Sequence, residues 1–348
     1  MTPKTLLTVT VMTFVVSGSA FSQAPSTTAP QTPPVETLPA TTPLPETPPA
    51  TPPPPMHAIQ TELTTPALQT AVDEFKRVGA SPKQTFVTWG EYVTATGHYF
   101  VPVMLYIPKA SGITASPNLT FFGVVQDASG KNLNAFEVPA KLNATRDDFF
   151  VDATLLGLPA GKHRGYFGLA EDGKIVTIST TEMKLAGALD KDAPGVSRLI
   201  ISNHLYPLEA AQGPVDPFTF GGLKVVPKAD RAFRSTDELW YFVELRNPGV
   251  VDPPADVVPV TGAPVAGPKL QLRVDVEGTD ANGKAKKLSA PLREVEAVEV
   301  KGVPGHYGVG SGIPLASFQP GEYTLTVKVI DTVRKMSYTF YEKFRVAG

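Results

Sequence analysis

The chain has 348 residues, a formal net charge of −2, 36 prolines and no cysteine. This length is sufficient for one large domain or two ordinary domains, each with a hydrophobic core. The nearly balanced charge disfavours nucleic acid and anionic membrane surfaces as partners. The lack of cysteine excludes disulfides, thiolate metal sites and cysteine nucleophiles.

Residues 1–22 have the pattern of a secretory signal peptide. Lys4 supplies a positive charge, and the apolar stretch from Leu6 to Val16 is too short to span a bilayer. Small side chains at Ala20 and Ser22 predict cleavage directly after Ser22, and a buried core helix is the alternative interpretation. We expect a protein of the bacterial periplasm or cell surface, with no transmembrane segment after cleavage.

Residues 23–56 form a tract dominated by proline, threonine and alanine. From residue 23 to residue 55 it contains no glycine and no aromatic residue. This composition buries too little apolar surface to offset the entropy of ordering, and proline favours the extended polyproline II conformation. We predict a disordered linker that acts as a stiff spacer. A ligand for a proline-binding partner and a tract that crosses the cell wall are the alternatives.

A short helix is predicted between Thr65 and Gly79. Thr65 is a suitable N-cap, Pro66 suits the first helical position, and Gly79 suits the C-cap. Asp73 and Arg77 are spaced to form an ion pair on the exposed side. The apolar residues of the other face are Leu68, Ala71, Val72, Phe75 and Val78. We expect this face to pack on the first β-sandwich.

From residue 84 onward the chain has the alternating pattern of β-strands. The predicted strands of the first half are 85–94, 98–107, 119–126, 134–138, 149–156, 163–170 and 175–185. The strand at 98–107 is apolar on both faces, which predicts one face on a sandwich core and the other on the helix. Pro102 cannot donate to a ladder, so an edge or a bulge is expected there.

The second half follows a linker predicted at 187–195. Its predicted strands are 198–205, 223–226, 239–246, 270–277, 295–301, 307–312, 323–331 and 337–346. A proline-rich loop at 248–268 is expected to be exposed and mobile.

Three landmarks occur in both halves in the same order and predict a degenerate duplication, with shared sandwich sequence patterns as the alternative. They are Tyr99-Phe-Val101 with Tyr241-Phe-Val243, Asp127 to Lys131 with Asp280 to Lys284, and Leu158-Pro-Ala-Gly161 with Phe318-Gln-Pro-Gly321. The predicted fold is therefore all-β, with two Ig-like antiparallel β-sandwich domains in tandem. They cover residues 57–186, including the helix, and residues 195–348.

Tyr323 follows the Pro320–Gly321 turn and begins a strand of strict alternation. This position is typical of a tyrosine corner, in which the buried ring donates its hydroxyl to backbone a few residues upstream. We predict an acceptor within residues 315–318. His163 holds the equivalent position in the first half, so that half is expected to lack the corner and to be the less stable.

The second half also resembles a known family. The residues that support the resemblance are Ile200-Ile-Ser202, Gly222 to Pro227, Leu239 to Glu244 and Phe318 to Leu325. The region from Val196 to Val346 is similar to the C-terminal β-sandwich of secreted bacterial proteins that carry a GWxTD domain or a von Willebrand factor A domain. Neither the Gly-Trp-x-Thr-Asp motif nor an Asp-x-Ser-x-Ser metal motif is present. The resemblance implies an accessory module and transfers no functional residue.

Motifs for catalysis, metal binding or a cofactor are missing from the sequence. The five histidines have no metal-like spacing. The stretch at 278–285 has the glycines and the lysine of a phosphate loop, but Ala285 replaces the required Ser or Thr, and the strand–turn–strand context predicts an Asn-Gly hairpin instead. Carboxylates are scattered, so a pair assembled in space remains open. The candidate ligand-binding residues are Trp89, Tyr92, Trp240 and Tyr241, as a sugar-stacking platform or else as core.

We therefore expect a non-catalytic protein that binds another envelope or extracellular protein, or that acts as an envelope scaffold. A glycan-binding module and a hydrolase with a spatially assembled carboxylate pair are the alternatives. Two or more exposed aromatic residues in a row would favour the glycan-binding module. Two carboxylates in a cleft would favour the hydrolase.

Overall fold

The computed structural model describes residues 60–93, 99–186, 192–207, 218–220, 223–251, 267–300 and 303–348. The predicted signal peptide (residues 1–22), the linker (residues 23–56) and most of the loop at 248–268 lie outside the described residues. The described part is an all-β sandwich structure with one α-helix, and all of its residues pack together in one structural unit. Within it, no helix has the length and apolar character needed to cross a membrane.

The first module (residues 60–186) contains two facing sheets. One has the strand order β1-β3-β7-β6, with β2 also paired to β3, and the other has the order β5-β4-β8-β9. The strands are β1 (Phe86–Trp89), β2 (Tyr92–Val93), β3 (Tyr99–Ile107), β4 (Leu119–Asp127), β5 (Asn132–Pro139), β6 (Asn143–Ala144), β7 (Phe149–Leu156), β8 (Gly161–Glu171) and β9 (Lys174–Leu185). Their facing side chains, among them Val103, Phe121 and Phe167, form the first core.

The second module (residues 192–348) repeats this arrangement and adds a small sheet. Its strands are β10 (Gly195–Val196), β11 (Ile200–Ser202), β12 (His204–Pro207), β13 (Thr219–Phe220), β14 (Leu223–Val226), β15 (Ala232–Arg234), β16 (Glu238–Arg246), β17 (Leu270–Asp280), β18 (Ala285–Ser289), β19 (Arg293–Val295), β20 (Val298–Glu299), β21 (His306–Pro314), β22 (Gly321–Asp331) and β23 (Met336–Ala347). The main sheets have the orders β10-β16-β21-β20 and β18-β17-β22-β23, and β12-β14-β13 forms the small sheet. β15 pairs with β23 in parallel, whereas the other pairs are antiparallel.

The two modules have the same strand order. β5-β4-β8-β9 corresponds to β18-β17-β22-β23, and β1-β3-β7-β6 corresponds to β10-β16-β21-β20. This is the immunoglobulin arrangement, in which strands A, B, E and D face strands C, F and G, with an added C′ strand. The strands before Asp127 and Asp280, and those after Gly161 and Gly321, therefore hold equivalent positions. The duplication hypothesis requires this equivalence.

The hairpin turns after β4 and β17 are built alike. The Asp127 N–H donates to the Lys131 carbonyl at 3.0 Å, and the Asp280 N–H donates to the Lys284 carbonyl at 3.0 Å. Each aspartate side chain also accepts the N–H groups two and four residues further along. The stretch at 278–285 is thus a hairpin between two strands, as its sequence context predicted.

Tyr323 forms the predicted corner. Its ring is 2% exposed, and its hydroxyl donates to the Gln319 carbonyl at 2.8 Å, one residue beyond the predicted range. His163 makes the equivalent link, because its Nε2 lies 2.9 Å from the Pro159 carbonyl, also four residues upstream. The expectation that the first module lacks this link is wrong, since the imidazole reaches the same backbone position.

The turn before Tyr323 is joined to the neighbouring hairpin. The Ala281 N–H donates to the Pro320 carbonyl at 2.7 Å. Gly321 lies so close to the same hairpin that a Cβ would approach the Thr279 carbonyl to 2.4 Å. A side chain at this position would push the two turns apart, which explains the glycine.

The helix α1 (Pro66–Val78) begins and ends as predicted. Thr65 precedes it, and its N–H and hydroxyl bind the Glu137 carboxylate of β5 at 2.9 and 2.8 Å. Burial alone would raise the pKa of Glu137. The hydrogen bonds from Thr65 and Thr64 have the larger combined effect, so the pKa of Glu137 is lowered. Gly79 ends the helix at φ +72°. Asp73 pairs with Lys76 at 2.8 Å instead of the predicted Arg77.

Candidate functional site at the module junction

β3 is buried on both faces, but the second face is covered by a different element from the one predicted. Val101, Val103 and Leu105 point into the first core, whereas Phe100 and Met104 point towards the second module. The helix instead covers the outer face of the β5-β4-β8-β9 sheet. The expectation that the helix covers β3 is wrong, because the second module occupies that face.

Pro102 lies in a central strand and not at an edge. Its neighbour on one side is β7, where it stands opposite Thr154. On the other side, β1 ends at Trp89 and β2 begins at Tyr92, so Pro102 lies at the break between them. Its carbonyl still accepts the Gly90 N–H at 3.0 Å. The missing N–H of proline is therefore placed where the neighbouring ladder is interrupted.

An apolar cluster joins the two modules. Tyr92 stacks on Phe100 at 5.7 Å and meets Phe218 edge to face at 6.0 Å between ring centres. The buried members are Tyr92, Phe100, Met104 and Phe150 from the first module, and Ile200, Phe218, Val225, Val226 and Phe242 from the second. Burying a side chain of this size contributes about 1.5–3 kcal/mol, so this cluster holds the modules together.

Beside this cluster, Lys228 forms a buried polar network across the junction. Its Nζ donates to the Tyr106 hydroxyl and pairs with Asp148 at 3.1 Å and Asp230 at 3.3 Å. The Tyr106 hydroxyl in turn donates to Asp148. Burial, followed by the bond to Asp148, raises the pKa of Tyr106 far above its usual value. Burial raises the pKa of Asp148, but the bonds from Tyr106 and the Lys109 N–H outweigh it and lower the pKa.

Three more ion pairs cross the junction. They are Lys224 with Asp152 at 3.6 Å, Arg234 with Asp147 at 3.4 Å, and Arg146 with Asp237 at 3.8 Å. Exposed pairs of this kind contribute little, whereas a buried charge that loses its partner is strongly destabilising. The side chain of Lys224 is only 6% exposed, so this pair fixes the relative placement of β14 and β7.

Asp148 and Asp230 are a pair of carboxylates assembled in space, which is the arrangement that a hydrolase requires. A glycosidase, however, needs one of its two carboxyl groups to remain protonated through a raised pKa. The pKa of Asp148 is lowered, and Lys228 lies between the two groups. The geometry around Asp148 is that of an ion-pair network, and a carboxyl group with a lowered pKa is poorly suited to act as the general acid.

An open groove of about 370 Å³ lies next to the junction. It is bounded by the C-terminal end of α1, the edge strands β1 and β9, and the loop after β14. Its lining residues are Phe75, Gly79, Ser81, Lys83, Gln84, Thr85, Phe86, Val87, Ile178, Ser179, Thr180, Ala229 and Arg231. Since Ala229 and Arg231 belong to the second module, the groove is complete only when the modules are docked.

β1 and β9 run side by side and are joined through side chains. At one end, the Thr85 hydroxyl lies 2.9 Å from that of Thr177 and 2.7 Å from that of Ser179. At the other end, the Trp89 indole N–H donates to the Glu182 carbonyl at 3.2 Å. The groove lies around the first of these links, since its lining runs from Ser81 to Val87 and from Ile178 to Thr180.

The cation Arg198 lies at the far end of β1. Its guanidinium is 4.1 Å from the centre of the Trp89 ring and donates to the Trp89 carbonyl at 3.4 Å. Burial lowers the pKa of Arg198. Arg198 lines a smaller cavity of about 20 Å³ together with Lys228 and Arg231. Arg231 and Ala229 also line the groove, so the two spaces adjoin.

The four predicted ligand-binding residues lie in different places. Trp89 is 7% exposed in the first core, Tyr241 is 2% exposed in the second core, and Tyr92 is 6% exposed in the junction cluster. Trp240 is half-buried at the edge of that cluster. These residues do not form a shared exposed platform, because neighbouring positions of a strand, such as Trp240 and Tyr241, point to opposite faces.

The histidines that the structure describes have structural surroundings. His163 makes the corner link described above. His306 Nδ1 lies 2.7 Å from a Glu244 carboxylate oxygen, and both side chains are buried. His204 is half-buried, and burial lowers its pKa. His57 and His98 lie outside the described residues. The described residues contain no group of three or more potential metal ligands.

Sequence reasoning missed the polar residues of the junction. Lys224 and Lys228 flank the apolar stretch Val225-Val-Pro227, and a lysine on each side of such a stretch is a signal that could have indicated burial. Asp148 directly precedes the aromatic start of β7 and gives a similar signal. Their partners could not be inferred, because each contact joins residues far apart in the chain.

Neither a protein-family model nor a curated protein sequence matches this chain. The fold and the junction define a β-sandwich protein in which two immunoglobulin-like modules share a buried interface and an open groove.

Proposed function

We propose that this chain is a secreted, non-catalytic protein of the bacterial envelope that binds another polypeptide at the junction groove. The observation that most supports this proposal is the composition of the groove, which combines half-buried aromatic side chains, hydroxyl groups and two cations. Strand edges and sandwich loops are common binding surfaces for extended polypeptides.

The docked modules suit a scaffolding role. The apolar cluster and the Lys228 network fix the second module against β3, so residues from both modules keep a constant position around the groove. In this proposal, residues 1–22 direct secretion and residues 23–56 act as the spacer from an attachment point. The family resemblance of residues 196–346 also implies an accessory role.

Site-specific photo-crosslinking in the native envelope tests the proposal. A photoreactive phenylalanine derivative is placed at Gln84, an exposed residue of the groove lining, and at Lys131, an exposed residue of the β4–β5 turn. We expect one discrete crosslinked protein from Gln84 and none from Lys131, with mass spectrometry giving its identity.

Equal crosslinking from both positions, or none from either, would contradict a binding role for the groove. A crosslink between two copies of this chain would show self-association instead. Specific retention on a glycan array, without a protein crosslink, would favour the glycan-binding alternative.

A further inference from the structure

We propose that the last turn of α1 (residues 75–78) acts as a gate of the junction groove, an inference that rests on the protein-binding function proposed above. The partner binds only while this turn is packed on the β5-β4-β8-β9 sheet, and the bound partner holds the turn in place. Opening of the turn releases the partner.

The end of α1 forms one wall of the groove. Phe75 in the last turn and Gly79, which ends the helix, line the groove together with Ile178 of β9. The Phe75 ring also packs edge to face on Tyr166 of β8, at 6.3 Å between ring centres. Ile178 is buried in the apolar cluster between α1 and the sheet. The contacts that dock the turn and the surface that lines the groove are therefore shared.

The last turn is the most weakly held part of the helix. Leu68 and Val72 are the two fully buried residues of α1, and both precede this turn. Within the turn, Phe75 is half-buried and the other three residues are exposed. Segments with few buried apolar contacts open locally at a lower free-energy cost than the rest of a fold. The last turn can therefore open while the first turns stay docked.

Two fixed points confine this opening to a short segment. Before it, the Val72 side chain is fully buried against the sheet. After it, the Ser81 hydroxyl accepts the Ile178 N–H at 3.0 Å and donates to the Lys83 carbonyl at 2.9 Å. A single turn that leaves the sheet also loses its helical structure, because short helical segments are unstable in water. The residues between Val72 and Ser81 therefore leave and return as a unit.

Docking of the turn and occupancy of the groove are linked. A partner that contacts Phe75 binds the docked state more tightly than the open state, in which this wall is missing. A ligand that prefers one of two states shifts the equilibrium toward that state, and the coupling is reciprocal. Binding therefore closes the gate, and a substitution that opens the gate weakens binding.

A substitution at Glu74 opens the gate and leaves the groove lining intact. Glu74 directly precedes the last turn, is exposed and does not line the groove. Its carboxylate lies 3.8 Å from Arg77, an exposed pair that contributes little. Glu74→Pro removes a helical hydrogen bond and clashes with the preceding turn, so hydrogen exchange at residues 75–78 should quicken about hundredfold. Glu74→Ala, the matched control, removes the same side chain but favours the helix and should not quicken exchange.

Crosslinking from Gln84 in the native envelope gives the functional measurement. The parent, Glu74→Pro and Glu74→Ala chains each carry the photoreactive residue at Gln84. We expect Glu74→Pro to lower the crosslinked yield at least about fivefold, because the binding-competent state becomes rare, and Glu74→Ala to preserve it. In the purified crosslinked complex of the parent, the amides at 75–78 should exchange more slowly than in the free chain.

Thermal unfolding and circular dichroism verify that Glu74→Pro keeps the β-sandwich fold. If it does not, the double variant Glu74→Gly with Arg77→Gly replaces it, because each glycine disfavours the helix without a steric clash. The double variant Glu74→Ala with Arg77→Ala is then the control.

Undiminished crosslinking in a Glu74→Pro chain whose last-turn amides exchange rapidly would overturn the gate. Unchanged exchange at residues 75–78 in this variant, or equal exchange in the free chain and the crosslinked complex, would also contradict it. The parent chain separates this failure from that of the proposed function. If Gln84 of the parent captures no protein, the proposed function fails and the gate with it, whereas equal capture by the parent and Glu74→Pro refutes the gate alone.

Discussion

Tyr323 and His163 fix the same turn of the sandwich with different side chains. Each ring is buried at the start of the strand that corresponds to strand F, and each contacts the carbonyl four residues upstream. The tyrosine uses a single hydroxyl. Among the residues that the structure describes, none is a hydrogen-bond partner for the buried Nδ1 of His163. Burying an unpaired polar atom costs free energy, so the histidine link stabilises its turn less than the tyrosine link does.

The contribution of the corner can be measured at Tyr323. Tyr323→Phe removes the hydroxyl and leaves the Gln319 carbonyl without its donor, which should lower the free energy of unfolding by about 1 kcal/mol. Urea unfolding measures this change. Tyr341→Phe is the matched control, because Tyr341 is 69% exposed on β23 and its loss should have no effect. An unchanged stability in Tyr323→Phe would show that the corner does not stabilise the fold.

Ionised Asp148 should contribute to the loss of folding stability at acidic pH. Its pKa is lowered in the folded protein, so its ionised form contributes stability that is present above the unfolded pKa of about 3.9. That stability is lost as the pH falls through the lower, folded pKa. Asp148→Asn removes the titrating group, so the variant should lose less stability than the parent below about pH 4. Urea unfolding at several pH values measures this difference, and parallel acid curves would contradict it.

At the scale of elements, α1 depends on a strand for its N-terminal cap. The Thr65 hydroxyl does not cap its own helix, and Glu137 of β5 binds the Thr65 N–H and hydroxyl instead. A carboxylate at this end also interacts favourably with the helix dipole. The bond between α1 and β5 therefore fixes the start of the helix, while Leu68 and Val72 bury its apolar face.

Glu137→Gln tests this cap. The substitution keeps the size of the side chain but removes its charge, so the first turn of α1 should lose about 0.5–2 kcal/mol of local stability. Amide hydrogen exchange of the first turn should quicken, with little change in the last turn. Glu171→Gln, at the exposed end of β8, is the control. Equal exchange rates in Glu137→Gln and the parent would show that Glu137 does not act as the cap.

The sequence predicts the long elements well because their signals are local. Continuous apolar and aromatic runs fix β3 and β16, strict alternation fixes β22, and the residues Pro66 and Gly79 fix the ends of α1. The strands that sequence reasoning missed, such as β6 and β15, have two or three residues and are determined by their neighbours. The apolar residues on both faces of β3 show that both faces are buried, but they cannot show that the second module covers one of them. The groove was missed for the same reason, since it is assembled from four separate segments.

At the scale of the whole molecule, the junction makes the two modules dependent on each other. β3 contributes to the first core through one face and to the junction cluster through the other. β16 does the same in the second module, because Tyr241 and Val243 lie in the second core while Phe242 lies in the junction cluster. Unfolding either module alone would expose the apolar surface that the other buries.

The chain therefore should unfold in one cooperative transition, and its two tryptophans can report the two modules separately. Trp240→Phe leaves Trp89 as the probe of the first module, and Trp89→Phe leaves Trp240 as the probe of the second. We expect coincident fluorescence midpoints in urea for the two variants, after correction for the stability change measured by circular dichroism. Adding Lys228→Ala leaves two half-buried carboxylates without their buried cation, at a cost of about 3 kcal/mol. Because this cost falls on the junction, the midpoints reported by Trp89 and Trp240 should differ once Lys228 is replaced. If the two midpoints already differ while Lys228 is present, the modules unfold independently and the prediction is wrong.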